Sequence, residues 1–166
     1  MITWDGRLDN RKELISELRS GLKADSTDLD IVSKAYETWG PKCFAKLIGD
    51  WALSIWDPRN QTVLLAKDSM GTNLLFYAFE RNYIAWCSIL DALVLHAGRT
   101  FKISEEYVAG WLGHYPAEHV TPYVGLHAVP ASSFVQLRPG KHGVNHTVTK
   151  YWDFDQIGRA SCRERV

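Results

Sequence analysis

The 166-residue chain carries 19 Lys and Arg against 19 Asp and Glu, so no global charge recruits nucleic acid or an acidic membrane. Hydrophobic residues make up 46% of it, with seven Trp, which sets it apart from disordered chains and suits one domain with a substantial core. No apolar run approaches the ~20 residues of a membrane span. Met1 opens directly into Ile-Thr-Trp-Asp, without the basic start and apolar stretch of a secretory signal, so a cytoplasmic protein is expected.

In chain order, Ile2-Thr3-Trp4 reads as a short strand ended by an Asp5-Gly6 turn. Asp9 can cap a helix over Asn10–Ser20, with Leu14, Ile15 and Leu18 as its apolar stripe and Gly21 as its stop. The cluster Asp25-Ser26-Thr27-Asp28 precedes a second helix over Leu29–Trp39, closed by Gly40-Pro41. There Ile31, Val32, Ala35, Tyr36 and Trp39 share one face. A short helix over Lys42–Leu47 leads into the most informative stretch, Leu47–Phe79.

In that stretch Trp51–Trp56 and Thr62–Ala66 are short, apolar runs joined by the turn-rich Asp57-Pro58-Arg59-Asn60-Gln61. Large apolar groups fall on both faces of the first run, as in a strand of a central layer. Asp68 and Gly71 fit positions i and i+3 of a β-turn, and a third run follows at Leu74–Tyr77. A strand at Tyr83–Cys87, a helix over Ile89–His96 ended by Gly98, and a helix from Ser104 through Leu112 come next. The segment Thr121–Pro130 is extended and broken by proline; Phe134–Leu137 alternates, Arg138–Lys141 turns, and Val144–Trp152 returns as a strand. Helices grouped between runs of sequentially adjacent strands, without internal repeats, indicate an α+β fold with antiparallel sheets.

Residues Ile157–Val166 are polar, lack either secondary-structure period, and resemble the translation of a common sequencing-library adapter. They are expected to be a non-native tail, the domain being residues 1–156 and the natural polypeptide running further. Without the tail the cysteines are Cys43 and Cys87, which lack CxxC spacing and read as buried thiols in a reducing compartment. The six histidines show no HxH or HExxH spacing, so no metal site is expected. The tryptophans lie scattered as core residues do, with no basic stacking platform for nucleic acid.

Several segments together resemble the N-terminal glutamine-amidotransferase domain of the asparagine synthase family. Trp4-Asp5-Gly6-Arg7-Leu8-Asp9-Asn10 stands against the family's Asn-Gly-Glu-Ile-Tyr-Asn. Ser26-Thr27-Asp28-Leu29-Asp30 stands against Gly-Ser-Asp-x-Glu, and Gly49–Asp57 against Gly-x-x-Ala-x-x-x-Trp/Tyr-Asp. Leu64–Tyr77 stands against Leu-Leu-Ala-Arg-Asp-x-x-Gly-x-x-Pro-Leu-Tyr-Tyr, and Ser88–Leu93 against Ser-Glu-Ile-Lys-Ala-Leu. The resemblance covers nearly all of residues 2–155.

It implies an N-terminal-nucleophile hydrolase fold: an αββα sandwich of two antiparallel sheets between helices, here incomplete at the N-terminus. The family's nucleophile is an N-terminal Cys whose α-amino group can act as base. Neither Cys43 nor Cys87 fills that role, and the strands bearing the nucleophile and a carboxylate-gripping Arg would lie before Met1. The family's oxyanion hole is an Asn side chain and a Gly N–H; Gly6 retains the second, whereas Asp5 replaces the Asn and has no donor when ionised. Arg7 reverses the charge of the family's Glu. Asp28 matches the residue that binds the substrate ammonium, and a helix N-cap accounts for it equally well.

The resemblance further implies glutamine as substrate of the full protein. It places a synthetase domain in cis, with ATP and magnesium confined to that downstream domain, and it is compatible with a homodimer. Two functions stay open: a glutaminase domain feeding ammonia to amide formation but inactive as this chain, or a non-catalytic scaffold of the same fold, as in lasso-peptide-cyclase-like relatives.

Overall fold

The computed structural model describes residues 1–18, 21–80, 83–115, 117–140 and 143–153; the tail expected at 157–166 lies outside them. Eight strands and four α-helices are described: β1 (Ile2–Leu8), α1 (Arg11–Leu18), α2 (Asp28–Trp39), β2 (Gly49–Asp57), β3 (Thr62–Lys67), β4 (Phe76–Phe79), β5 (Ile84–Cys87), α3 (Leu90–Ala97), α4 (Glu105–Leu112), β6 (Leu126–Ala128), β7 (Ser133–Gly140) and β8 (Gly143–Lys150). The short helix expected over Lys42–Leu47 is a 3-10 segment, Gly40–Lys46, with Pro41 in its first turn.

The strands form two antiparallel sheets, a five-stranded one in the order β1-β2-β3-β7-β8 and a three-stranded one in the order β5-β4-β6. β2 is buried on both faces, Trp51 through Ile55. Trp51, Leu53 and Ile55 pack with Leu64 and Ala66 against α1, α2 and the 3-10 segment. Ala52 packs with Val63, Leu65, Val135 and Leu137 against Leu75, just before β4, and Tyr77 of β4 in the smaller sheet. α3 covers that sheet's other side through Leu90, Val94 and Ala97 around Ala78, Phe101 and Leu126. The layers thus run helix, sheet, sheet, helix: the expected αββα sandwich.

Trp51 is the centre of the larger core. It is fully buried, with ring centroids 5.7 Å from Trp4, 6.1 Å from Phe44 and 6.3 Å from Tyr151. A buried Trp cut to alanine costs about 3–5 kcal/mol, so this cluster is a large share of a marginal total. The Tyr151 hydroxyl donates to the Lys67 carbonyl, and burial pushes its pKa up.

The sequence expectation fails at Asp5-Gly6. No turn forms, and β1 runs on to Leu8 with Asp5 opposite Ala52, Gly6 opposite Trp51 and Arg7 opposite Asp50. Gly6 has φ +149°, and a Cβ there would sit 2.2 Å from the Asp50 carbonyl oxygen. The glycine serves a close strand approach, which tertiary pairing with β2 imposes over the local turn preference.

Candidate functional site at the β1 edge

β1 is an edge strand, and its hydrogen-bond phase decides which groups face outward. Met1 exchanges both bonds with Trp56 (3.0 and 2.8 Å), and Asp9 N–H donates to the Ile48 carbonyl at 2.8 Å. Antiparallel pairs alternate, so the odd-numbered residues of β1 bond to β2, while Trp4, Gly6 and Leu8 aim their backbone groups at the open edge. There the Trp4 indole N–H donates to the Gly6 carbonyl at 3.0 Å, and the Leu8 N–H donates to Asp28 Oδ2 at 2.9 Å. The Gly6 N–H thus points outward two residues from the Asp28 carboxylate, roughly 7 Å along the strand.

Side-chain parity puts Thr3, Asp5 and Arg7 on the face opposite Trp4 and Leu8. Thr3 and Asp5 line a cavity of about 260 Å³ between the sheets, together with Ser54, Leu75, Cys87 and Ser88. Thr3 Oγ1 and Ser54 Oγ lie 2.6 Å apart. Arg7 is exposed and pairs with Asp50 (3.2 Å) and Asp9 (3.6 Å).

Asp28 is not the N-cap. Thr27 is: its hydroxyl accepts from the Asp30 N–H at 3.2 Å, and Asp30 Oδ2 accepts from the Thr27 N–H at 2.9 Å. That capping box, with the acceptor at the third helical position, explains why the expected boundary shifts by one residue. Asp28, in the first turn of α2, instead forms an ion pair with Arg11 at the start of α1. Arg11 also donates to the Ser26 carbonyl. The carboxylate therefore ties β1, α1 and α2 together, and its charge is already matched.

Two contributors escaped the sequence reading. Asn73 Nδ2 donates to the Asp5 carbonyl at 2.9 Å, reaching the site from the loop between β3 and β4. That loop is held by Asp68, which is 1% exposed. The Asp68 carboxylate accepts from the Trp51 N–H (3.1 Å), Met70 N–H (2.9 Å) and Thr72 N–H (3.1 Å), and more distantly from Asn73 N–H (3.4 Å). Its carbonyl accepts from Gly71 N–H at 3.2 Å, the expected turn, and from Ser132 N–H at 3.0 Å. The Asp-x-x-Gly spacing signals the turn; nothing in it signals the bond across to β2.

The two cysteines differ. Cys43 is fully buried, and desolvation pushes its thiol up to about 12, so it stays protonated and inert at neutral pH. Cys87, expected to be buried, is half-buried at the end of β5, lines the inter-sheet cavity and accepts from the Ile89 N–H at 3.5 Å. β5 lies at the edge of its sheet, which leaves its side chains incompletely covered. Among the described residues no group of three His, Cys, Asp or Glu could hold a metal ion, and no helix is long and apolar enough to cross a membrane.

Residues 1–152 match the glutamine amidotransferase domain family. The chain belongs to that family. It is 25% identical over 162 residues to asparagine synthetase [glutamine-hydrolyzing] 3 of Bacillus subtilis, covering 93% of this chain and 25% of the relative. It is 23% identical over 159 residues to asparagine synthetase [glutamine-hydrolyzing] 2 of the same organism, covering 92% of this chain and 21% of the relative. The chain thus spans about a quarter of the length of these curated relatives. Among solved structures, glutamine phosphoribosylpyrophosphate amidotransferase from B. subtilis superposes with a TM-score of 0.57 at 15% identity, covering 88% of this chain and 28% of that one. That likeness shows the N-terminal-nucleophile amidotransferase fold.

Proposed function

We propose that this domain is the glutamine-handling module of a cytoplasmic asparagine-synthetase-like enzyme, and that the chain by itself does not hydrolyse glutamine. Its relatives are named glutamine-hydrolysing asparagine synthetases, which supports glutamine as the ammonia donor of the whole protein. At the β1 edge, the Gly6 N–H would serve as one oxyanion donor and Asp28 as the anchor for the substrate ammonium. Arg7 would lie beside the substrate, where it reverses the charge that the family's Glu brings.

The observation that carries the hydrolytic silence is Asp5, a carboxylate beside Gly6 and on the inter-sheet cavity. Tetrahedral intermediates of acyl transfer need donors aimed at the developing oxyanion; losing one costs on the order of 10²–10³ in rate. An ionised carboxylate in the donor's place also repels the charge it should stabilise. Cys43, with its thiol raised to about 12 in the helix-side core, cannot act as nucleophile. Hydrolysis would require the thiolate and adjoining α-amino base of an N-terminal cysteine, which neither Cys43 nor Cys87, at the end of β5, supplies.

In this reading ATP and magnesium belong to a synthetase module in cis. The N-termini of α2 and α4 are closed by their own Thr27 and Ser104 caps, so neither offers a phosphate cradle.

The Asp28–Arg11 ion pair favours a second reading, a scaffold of the same fold without catalysis. Arg11 occupies the carboxylate that a substrate ammonium would need, and the binding of glutamine would have to displace it. One experiment addresses both readings: ammonia release from glutamine by the purified 166-residue chain. The expected rate equals that of buffer. Measurable turnover that disappears on Asp28→Ala would overturn the proposed silence and the scaffold reading together. A Cys directly after the initiator Met of the complete gene would favour the glutaminase reading over the scaffold.

A further inference from the structure

β8 ends the larger sheet on the side opposite β1, and its hydrogen-bond phase follows from one bond. The Tyr151 N–H donates to the Ser132 carbonyl at 2.8 Å, one pair beyond the Ser133–Lys150 pair of the β7–β8 register. Antiparallel pairs alternate, so Asn145, Thr147 and Thr149 bond to β7, while Val144, His146, Val148 and Lys150 aim their N–H and C=O groups outward. At the β1 edge such groups meet the Trp4 indole and the Asp28 carboxylate. Among the described residues no comparable bond reaches the outward groups of Val144, His146 or Val148.

Edge strands are normally blunted by proline, bulges or charge. β8 contains no proline, keeps an unbroken register with β7 from Lys150 to Gly143, and pairs its charged residue, Lys150, with Asp153 at 2.9 Å. Val148 on it is 46% exposed. Such a regular edge is a template for a further strand, and its residues are complementary to themselves. When two β8 strands lie antiparallel about a twofold axis at Thr147, Val144 faces Lys150 of the second copy and His146 faces Val148. All the outward residues then exchange both bonds, about eight in total. Thr147 meets Thr147 and Asn145 meets Thr149, polar pairs of the kind that stabilise adjacent strands, and no like charges are opposed. An axis at His146 would oppose that residue to itself and leave Lys150 without a partner. An axis at Val148 would set His146 against Lys150.

We propose that β8 is a dimerisation edge, at which two copies of this chain join their five-stranded sheets antiparallel, centred on Thr147, into one continuous sheet. An edge pairing by itself falls short of the ~800 Å² per partner that a stable complex buries, so the dimer is a dissociable one of micromolar strength. β1 lies four strands away in the sheet order, about 19 Å at about 4.8 Å per strand. The pairing therefore leaves Gly6 and Asp28 uncovered, and it stands whichever functional reading holds.

Sedimentation velocity of the 166-residue chain is expected to show a monomer–dimer equilibrium across the micromolar range. Thr147→Lys and Thr147→Glu should each weaken it about fivefold by opposing like charges at the axis, and an equimolar mixture of the two should restore it. Thr147 is exposed, so the melting temperature of each variant should stay within about 2 °C of the parent. Cysteine cross-linking reads the register, in a background of Cys87→Ser and Cys162→Ser. Residues facing each other at the axis form a non-hydrogen-bonded pair with Cα atoms about 4.5 Å apart, within the span of a disulfide. Two copies of Asn145 stand roughly 14 Å apart. Thr147→Cys should therefore give covalent dimer at least about tenfold faster than Asn145→Cys under mild oxidation. A parent chain that stays monomeric throughout that range would overturn the proposal, as would equal cross-linking of the two cysteine variants. A dimer indifferent to both charges would place the contact on another face and overturn it too.

Discussion

Replacing Asp68 by alanine removes the acceptor for four backbone N–H groups at once. The Trp51 N–H sits in the buried β2 strand, while those of Met70, Thr72 and Asn73 lie partly buried in the loop after β3. A buried donor left unpaired costs about 1–3 kcal/mol, and a hydrogen bond to a charged acceptor contributes about 1.5–3 kcal/mol. Water can reach the loop donors, so only part of their loss counts, and the sum is about 3–5 kcal/mol, near the top of what single substitutions do. For a domain of this size each kcal/mol moves the melting temperature by roughly 2–4 °C, giving a fall of roughly 6–20 °C. Asp68→Asn keeps one carbonyl oxygen and should fall about midway between the two. Thermal unfolding followed by circular dichroism reads this directly. A loss below about 3 °C for the alanine variant would mean that Asp68 is an ordinary turn residue, and that the tie between the β3–β4 loop and β2 is not what holds Asn73 against Asp5.

Gly6→Ala should destabilise by about 2 kcal/mol or more, because φ +149° is strained for any side chain and the new Cβ meets the Asp50 carbonyl oxygen at 2.2 Å; a denaturant midpoint equal to that of the parent would refute the close-approach reading. His127 of β6 is half-buried, with its ring 5.2 Å from Tyr77 of β4 and 6.5 Å from His146 of β8, across the two sheets. Burial, then His146, then His119 hold its pKa below the usual value, so the unfolded chain binds the proton first. Stability is therefore full above the unfolded pKa of about 6.5 and declines as pH falls below it. His127→Phe should flatten that decline in melting experiments between pH 7 and 5, and an unchanged slope would count against it. With a disulfide reagent at neutral pH, Cys87 should react in the native protein and Cys43 only on unfolding, since one lines a cavity and the other is fully buried; equal rates would contradict the packing described for α2 and the 3-10 segment.

Local chemistry and periodicity were enough to place most elements of this chain. The twofold apolar character of Trp51–Ile55 marked a strand buried on both faces, because a side-chain period of two exposes both sets to a core. The 3.6-residue pattern of Ile31, Val32 and Ala35 found the buried face of α2. The sequence of motifs from Asp5 to Leu93 also pointed to the amidotransferase family that residues 1–152 match. Tertiary structure decided what lies at the site. Asp5-Gly6 is a turn by propensity and a strand by pairing, because seven residues of β1 register against β2 and outweigh a two-residue preference. Asp28 has the sequence of a cap, yet Arg11, 17 residues earlier in the chain, takes its charge. Asn73 reaches Asp5 across 68 residues only because Asp68 fixes the loop it stands on. These contacts depend on distances in space between residues far apart in the chain, and no local period carries that information. The hydrogen-bond phase of β1, which turns the Gly6 N–H outward, is set by its partner strand and could be read only once β2 was in place.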